Sequence, residues 1–487
     1  MIAFILAAAV SAVSAVSADP IVNTTLGAVR GYTTSTGVRV FKGIPFAAPP
    51  VGDLRWAPPA ATAKWAPAVR DARAFAHNCI QATSAHNMGW PQPASTLSED
   101  CLYLNVYAPS AAANNTSSSS PRPVMVWIYG GGYQGGGGNE TRLNGTNDVA
   151  LLEQARQRGD GEGLVIVTLN YRLGVFGFAA ADALRGRDAA HGSTGNYGIL
   201  DQRAALQWVA REIAAFGGDP SRVFIVGQSA GADSVSQHLV RPRSWGLFAA
   251  AGMESGAWAD GWTTETVADR APCFAALLHA AGCGDVACLV RDVPAWALHN
   301  ASVDAAGKNS QMRCWWPSVD GVELTRPGAL LARDGHLAPG VPVLVGSVAE
   351  DINLFGVNCE GAACAASDLE RFATGNVAPT VTRGPNGAAF GWNASDTAAF
   401  VRLYTGEPVR PGGDYTSSFW AERHAGADFW GGAAARRAAR WVEAAGSDAF
   451  LYYWPVRMLQ NTFSDRRRAR CIAQLLEHSA QHQCSAI

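Results

Sequence analysis

Short apolar runs without polar alternation set the rhythm of this chain. Residues 124–129, 164–170, 223–226 and 341–345 are hydrophobic and β-branched, and 450–454 is a more aromatic fifth run. Each is flanked by Gly, Asp or Pro, and a run lacking a polar side belongs to a strand covered on both faces, as in a parallel sheet. Between the second and third runs, residues 199–216 carry Leu200, Ala204, Leu206, Val209 and Ile213 on one helical face, and Gly217-Gly218 and Pro220 end the segment. Residues 432–445 form an Ala-rich helical stretch. Strand, helix and strand in this order predict a mostly parallel central sheet with helices on both faces. Residues 111–123 read as a polar surface loop. With no internal repeat and no long linker, the simplest organisation is a single large domain.

Composition narrows the class. Of 487 residues, 48% are hydrophobic and 16% charged, and 38 basic residues against 40 acidic ones leave a net charge of −2. That balance excludes nucleic-acid binding through a basic stripe. The hydrophobic share and 16 Trp exclude a mostly disordered chain. Beyond the N-terminus no 18-residue apolar run offers a membrane span. Residues 1–18 are apolar and end in Val16-Ser17-Ala18 before Asp19-Pro20. Those small residues suit a signal peptide cleaved after Ala18, leaving a domain of residues 19–487; the basic n-region is missing, and a buried first helix is the alternative. Sequons at Asn23, Asn114, Asn115, Asn139, Asn144, Asn300 and Asn393, with ten Cys, suit a secreted or luminal, N-glycosylated and disulfide-bonded protein.

The sharpest chemical signal is Gly227-Gln228-Ser229-Ala230-Gly231, directly after the 223–226 strand and before a helical stretch at 232–239. Gly-x-Ser-x-Gly in that setting is a turn so tight that side chains two positions either side of the serine would clash. It lifts the Ser229 hydroxyl clear of the sheet, above a helix N-terminus that favours developing negative charge. About one hundred residues earlier, Tyr129-Gly130-Gly131-Gly132-Tyr133 follows another strand. Consecutive glycines allow bare backbone N–H groups to converge on one point. Acyl transfer needs such donors because the carbonyl oxygen becomes an oxyanion, and each is worth about a hundred- to a thousand-fold in rate.

With these motifs the chain resembles the type-B carboxylesterase, cholinesterase and fungal lipase family of α/β-hydrolases. Matching stretches are Phe41-Lys42-Gly43-Ile44-Pro45-Phe46-Ala47, Ser98-Glu99-Asp100-Cys101-Leu102-Tyr103-Leu104-Asn105-Val106, Asn170-Tyr171-Arg172-Leu173-Gly174, Gly195-Asn196-Tyr197-Gly198 with Asp201-Gln202, and Phe216-Gly217-Gly218-Asp219-Pro220. The resemblance implies the α/β-hydrolase fold, a small-molecule ester substrate and no cofactor. It makes Ser229 the nucleophile and Gly131, Gly132 and Ala230 the oxyanion-hole donors. It pairs Cys79 with Cys101 and Cys283 with Cys288, and makes Arg55 and Glu99 a structural ion pair. Cys359 and Cys364 are close enough in sequence to pair; Cys273, Cys314, Cys471 and Cys484 stay unassigned. No Cys shows metal-ligand spacing with His.

The triad order in this fold is Ser, acid, His. Asp351 falls on the acid position, where the family places Glu followed by Gly; Glu350 is the runner-up. The family's Gly-x-x-His-x-x-Glu setting is replaced here by Pro455-Val456-Arg457-Met458-Leu459-Gln460-Asn461, and the family pattern is lost after about 458. After Asp351 only His424, His478 and His482 occur. Either the tail supplies His478 or His482, or the chain lacks its base; His238 on the post-nucleophile helix reads as a helix-face residue. A serine carboxylic ester hydrolase is the first expectation, and a catalytically inactive cholinesterase-like binding or adhesion protein the second. Gln228, replacing the family's acidic neighbour of the serine, and Trp90 point to neutral acyl esters rather than choline esters.

Overall fold

The structure, a computed structural model, describes residues 19–83, 92–110, 120–140, 144–258, 263–307, 314–348, 394–404 and 432–454, with 367, 370, 371 and 374. The strands in chain order are β1 (Ile21–Thr24), β2 (Gly27–Arg30), β3 (Tyr32–Thr33), β4 (Arg39–Pro45), β5 (Val69–Asp71), β6 (Asn78–Cys79) and β7 (Leu97–Ser98). They continue with β8 (Tyr103–Ala108), β9 (Arg122–Ile128), β10 (Val165–Leu169), β11 (Gly218–Gln228), β12 (Ala250–Glu254), β13 (Val343–Val348) and β14 (Ala449–Trp454). Among the described residues nine of these form one sheet in the order β14-β13-β12-β11-β9-β10-β8-β4-β3. From β14 to β10 every pairing is parallel, and β8, β4 and β3 are added antiparallel at one edge. The α/β-hydrolase architecture expected from the sequence is the one observed.

The first four apolar runs became strands because each is covered on both faces, whereas the fifth is the edge strand β14, with Leu451 and Tyr453 exposed. On β9, Val124, Val126 and Ile128 enter the main core, while Met125 and Trp127 pack against Phe224, Val226 and Ala250 on the opposite face. Helix α1 (Thr146–Gln157) closes that second face near the antiparallel edge, where Val149 meets Tyr107 and Ile166. After the short helix α2 (Gly174–Phe178), helix α3 (Tyr197–Glu212) buries Leu206, Trp208 and Val209 in the main core. Helix α4 (Ala230–Leu239) follows β11 and is buried along its whole length.

Two boundaries differ from the sequence reading. The helix expected over 199–216 tightens into a 3₁₀ turn at Ile213–Phe216, and Gly217 at φ 92° caps it in the left-handed region. The loop expected over 111–123 ends earlier, because Arg122 and Pro123 already belong to β9.

Candidate active site

Ser229 stands between β11 and α4 with φ 58° and ψ −123°. A non-glycine residue held there costs roughly 1–3 kcal/mol, which the surroundings must offset. They do so through backbone bonds: its amide donates to the Glu254 carbonyl at 2.9 Å, and its carbonyl accepts from the Asp233 amide at 2.9 Å. The flanking glycines are a steric necessity. A Cβ on Gly227 would lie 2.5 Å from the Gly231 carbonyl carbon, and one on Gly231 would strike the Ile128 carbonyl. Ser229 is only half-buried and Gln228 is exposed, so the hydroxyl is not sealed into the core.

The glycine loop lies against this turn. A Cβ on Gly130 would come within 3.1 Å of the Ser229 Cβ. Gly131, Gly132 and Tyr133 follow at φ 111°, 60° and 60°. The Gly131 carbonyl accepts from the Gln134 and Gly135 amides at 3.0 and 3.1 Å, and the Gly132 carbonyl accepts from Trp316 Nε1 at 2.7 Å. In a planar trans peptide the N–H points opposite to the C=O. Drawing the Gly131 oxygen into the loop therefore turns the Gly132 N–H outward. No hydrogen bond among the described residues uses the amides of Gly131, Gly132 or Ala230. Ala230 opens α4, where the helix N-terminus adds positive potential. A half-buried hydroxyl beside three amides with no partner among the described residues is the kind of arrangement that acyl transfer requires.

Other expected residues fall as follows. Arg55 and Glu99 form a bidentate pair, Nε–Oε1 2.8 Å and Nη2–Oε2 2.7 Å, with Arg55 Nη1 on the Leu289 and Val293 carbonyls. That engagement leaves them no catalytic freedom. Cys79–Cys101 and Cys283–Cys288 are bonded as expected. His238 is fully buried between Ser244 Oγ and Gln202 Oε1, at 2.9 and 3.1 Å. Burial, assisted by Arg241, pushes it down to about 3, so it is a neutral core residue. Asp351, Glu350, His424, His478, His482, Trp90, Cys359, Cys364, Cys471 and Cys484 lie outside the described residues. No cluster of three or more potential metal ligands, and no helix long and apolar enough to cross a membrane, occurs among the described residues.

Comparison with known proteins decides the family. The model of the Carboxylesterase family matches residues 18–463. The chain belongs to the carboxylesterase family. It is 43% identical over 249 residues to a cocaine esterase of Oryctolagus cuniculus, covering 49% of this chain and 42% of that protein. It is 36% identical over 346 residues to the para-nitrobenzyl esterase of Bacillus subtilis, covering 69% of this chain and 63% of the relative. The chain thus spans about half the length of the curated relatives it matches. Among solved structures, the carboxylesterase EST55 of Geobacillus stearothermophilus superposes with TM-score 0.70 at 31% identity, over 91% of this chain and 81% of that one.

In this carboxylesterase-family chain the matching stretches build the frame of the site. Arg172 holds Asp201 through Nε–Oδ2 at 2.7 Å and Nη2–Oδ1 at 2.8 Å, joining the segment after β10 to α3. Gln202 reaches across to Ser234 Oγ on α4 at 3.0 Å. The sequence reading missed three supports. Cys273 bonds Cys314, placing a disulfide directly before Trp315-Trp316. Trp316 donates to the glycine loop. Asp233, one turn beyond the serine, accepts from the Tyr133 hydroxyl at 2.7 Å; burial pushes its carboxyl up, against hydrogen bonds from Tyr133, Gln237, Thr263 and Ser236. The only sequence signal for that contact was an Asp within an otherwise apolar helix start.

Proposed function

We propose that the chain is a secreted or luminal serine hydrolase that cleaves carboxylic esters of neutral small molecules. The observation that carries this reading is the strained Ser229 turn set against the Gly130–Gly132 loop. Ser229 Oγ forms a bond to the acyl carbon as its proton passes to a base, and the carbonyl electrons move onto an oxygen held by the amides of Gly131, Gly132 and Ala230. The C–O bond to the leaving alcohol then breaks, the alcohol takes the proton, and water cleaves the acyl-enzyme by the same route. Asp351 is the proposed acid that orients and charge-stabilises the base, a role a carboxylate of either length can fill. The exposed Gln228 brings no negative charge beside the serine, which suits a neutral ester. Sequons at Asn23, Asn144 and Asn300 are exposed and open to glycans.

The test is hydrolysis of p-nitrophenyl acetate together with labelling by a fluorophosphonate probe. Both activities should appear in the natural protein and vanish in Ser229→Ala. Folded protein that neither turns over ester nor takes the label would favour the binding or adhesion reading.

A further inference from the structure

The oxyanion cradle has two halves that arrive from distant parts of the chain. Gly131 and Gly132 come from the loop after β9, and Ala230 comes from the first residue of α4. A hydrogen-bond cradle works only if its donors converge on one point, and an error on the order of 1 Å can cost about a hundredfold in rate. Something must therefore register the loop against the helix.

Two side-chain bonds span that gap, both at the Tyr133 hydroxyl: the shorter goes to Asp233, and the longer comes from Ser234 Oγ on α4 at 3.4 Å. Tyr133 is the next residue after Gly132, and its hydroxyl donates to Asp233 Oδ2 at 2.7 Å. Asp233 lies in the first turn of α4, and its amide bonds the Ser229 carbonyl. Both side chains are buried, at 0% and 1% exposure. Tyr133 has no second place to go: its ring meets Phe178 edge-on at 4.9 Å, and its carbonyl accepts from the Gly174 amide at 2.8 Å. On the other side, neutral donors aim the carboxylate, with Thr263 Oγ1 at 3.2 Å, Ser236 Oγ at 3.2 Å and Gln237 Nε2 at 3.4 Å. A buried carboxylate held by neutral donors is a costly way to fill space, and an apolar side chain would stabilise the helix more cheaply. What the carboxylate adds is a fixed acceptor at one point.

We infer that the Tyr133–Asp233 hydrogen bond registers the Gly131–Gly132 loop against the Ala230 end of α4, making Tyr133 and Asp233 positioning residues for acyl transfer. This rests on the serine-hydrolase reading above. The bond acts on the transition state, because the converging amides matter only once the carbonyl oxygen carries charge. Substrate binding before that moment is indifferent to it.

The experiment compares the full natural chain with Tyr133→Phe, Asp233→Asn, Asp233→Ala and Thr266→Ala. Rates on p-nitrophenyl acetate are divided by the number of sites titrated with a fluorophosphonate, and affinity is measured for a trifluoromethyl ketone, whose adduct on Ser229 carries the oxyanion. Tyr133→Phe should lower kcat per site by about 10- to 100-fold, leave KM within about threefold, and weaken the ketone by the same factor as kcat. Asp233→Asn keeps an oxygen that can accept from the phenol and should recover most of that loss. Thr266→Ala removes the capping side chain of the helix Val267–Ala280, whose bonds run to Asp269, and should lower Tm with kcat per site unchanged. Unchanged kcat per site and ketone affinity in Tyr133→Phe would overturn the inference, and so would a larger loss in Asp233→Asn than in Tyr133→Phe. If Tyr133→Phe does not fold, Asp233→Ala set against Asp233→Asn decides: only the alanine variant, which has no acceptor oxygen, should lose about 10- to 100-fold in kcat per site, and equal kcat per site in the two overturns the inference. A natural protein that takes no label and turns over no ester defeats the underlying reading; a labelled, active one with an unaffected Tyr133→Phe defeats only the positioning role.

Discussion

The serine turn and the glycine loop lie side by side, yet they hold their shapes by opposite means. The turn is determined locally: Gly227, Gly231 and Gly256 leave room for backbone alone, and the bonds that fix Ser229 run to the ends of its neighbouring strand and helix. The loop is determined from afar. Gly132 depends on Trp316, Tyr133 on Asp233, Gln134 on the Trp315 carbonyl, and Gly136 on Gln81, across 184, 100, 181 and 55 residues of sequence. A local device tolerates change elsewhere in the chain and fails if one of its own residues changes. A distributed device should weaken by degrees as each support is removed.

The largest expected effect is on chemistry at the turn itself. Ser229→Ala should lower kcat on p-nitrophenyl acetate by roughly a millionfold while leaving the circular dichroism spectrum unchanged. Retained turnover in that variant would place the reaction elsewhere. Next, Gly231→Val should destabilise the fold by about 3 kcal/mol or more, since the added carbons collide with the Ile128 carbonyl. A urea midpoint equal to the natural protein's would show that the turn can relax and that its locality is overstated. The loop should respond more gently. Trp316→Phe keeps the packing but frees the Gly132 carbonyl, and kcat should fall by about tenfold at nearly constant KM. A loss as deep as that of Ser229→Ala would mean that the loop, too, is an all-or-none device.

The last effect, on stability rather than rate, concerns the support under α4. Burial holds folded His238 at about 3, below its value of about 6.5 in an unfolded chain. Between these limits the unfolded state binds the extra proton. The stabilisation is therefore whole above about pH 6.5 and declines as pH falls, by about 1.4 kcal/mol per pH unit from this one group. Urea unfolding at pH 6.5, 5.5 and 4.5 should show that slope reduced in His238→Gln. An equal slope in both proteins would assign the acid sensitivity to other groups.

The same contrast explains what the sequence made legible. β9, β10, β11 and β13 were readable because burial on both faces of a strand removes polar residues from the sequence itself; β14, at the sheet edge with Leu451 and Tyr453 exposed, was readable from its aromatic run alone. The Ser229 turn was readable because its steric demands fall within five consecutive positions. The supports of the loop were not, since nothing in Asp233 or Trp316 alone indicates a partner one hundred or more residues away. The Cys273–Cys314 bond lay hidden for that reason, its half-cystines separated by 41 residues with no motif between them. β3, β4 and β8 escaped as strands because the antiparallel edge mixes Arg39, Lys42 and Asn105 into its runs. Even so, Asn105 earns its place near the loop, where its amide donates to the Gly138 carbonyl at 3.1 Å and to Thr168 at 3.0 Å.

The most direct test of the account is a crystal structure of the protein after reaction with a fluorophosphonate. The prediction is phosphorus bonded to Ser229 Oγ, with the phosphoryl oxygen about 2.7–3.1 Å from the amides of Gly131, Gly132 and Ala230. An adduct on another residue, or a phosphoryl oxygen turned to solvent away from those three amides, would contradict it.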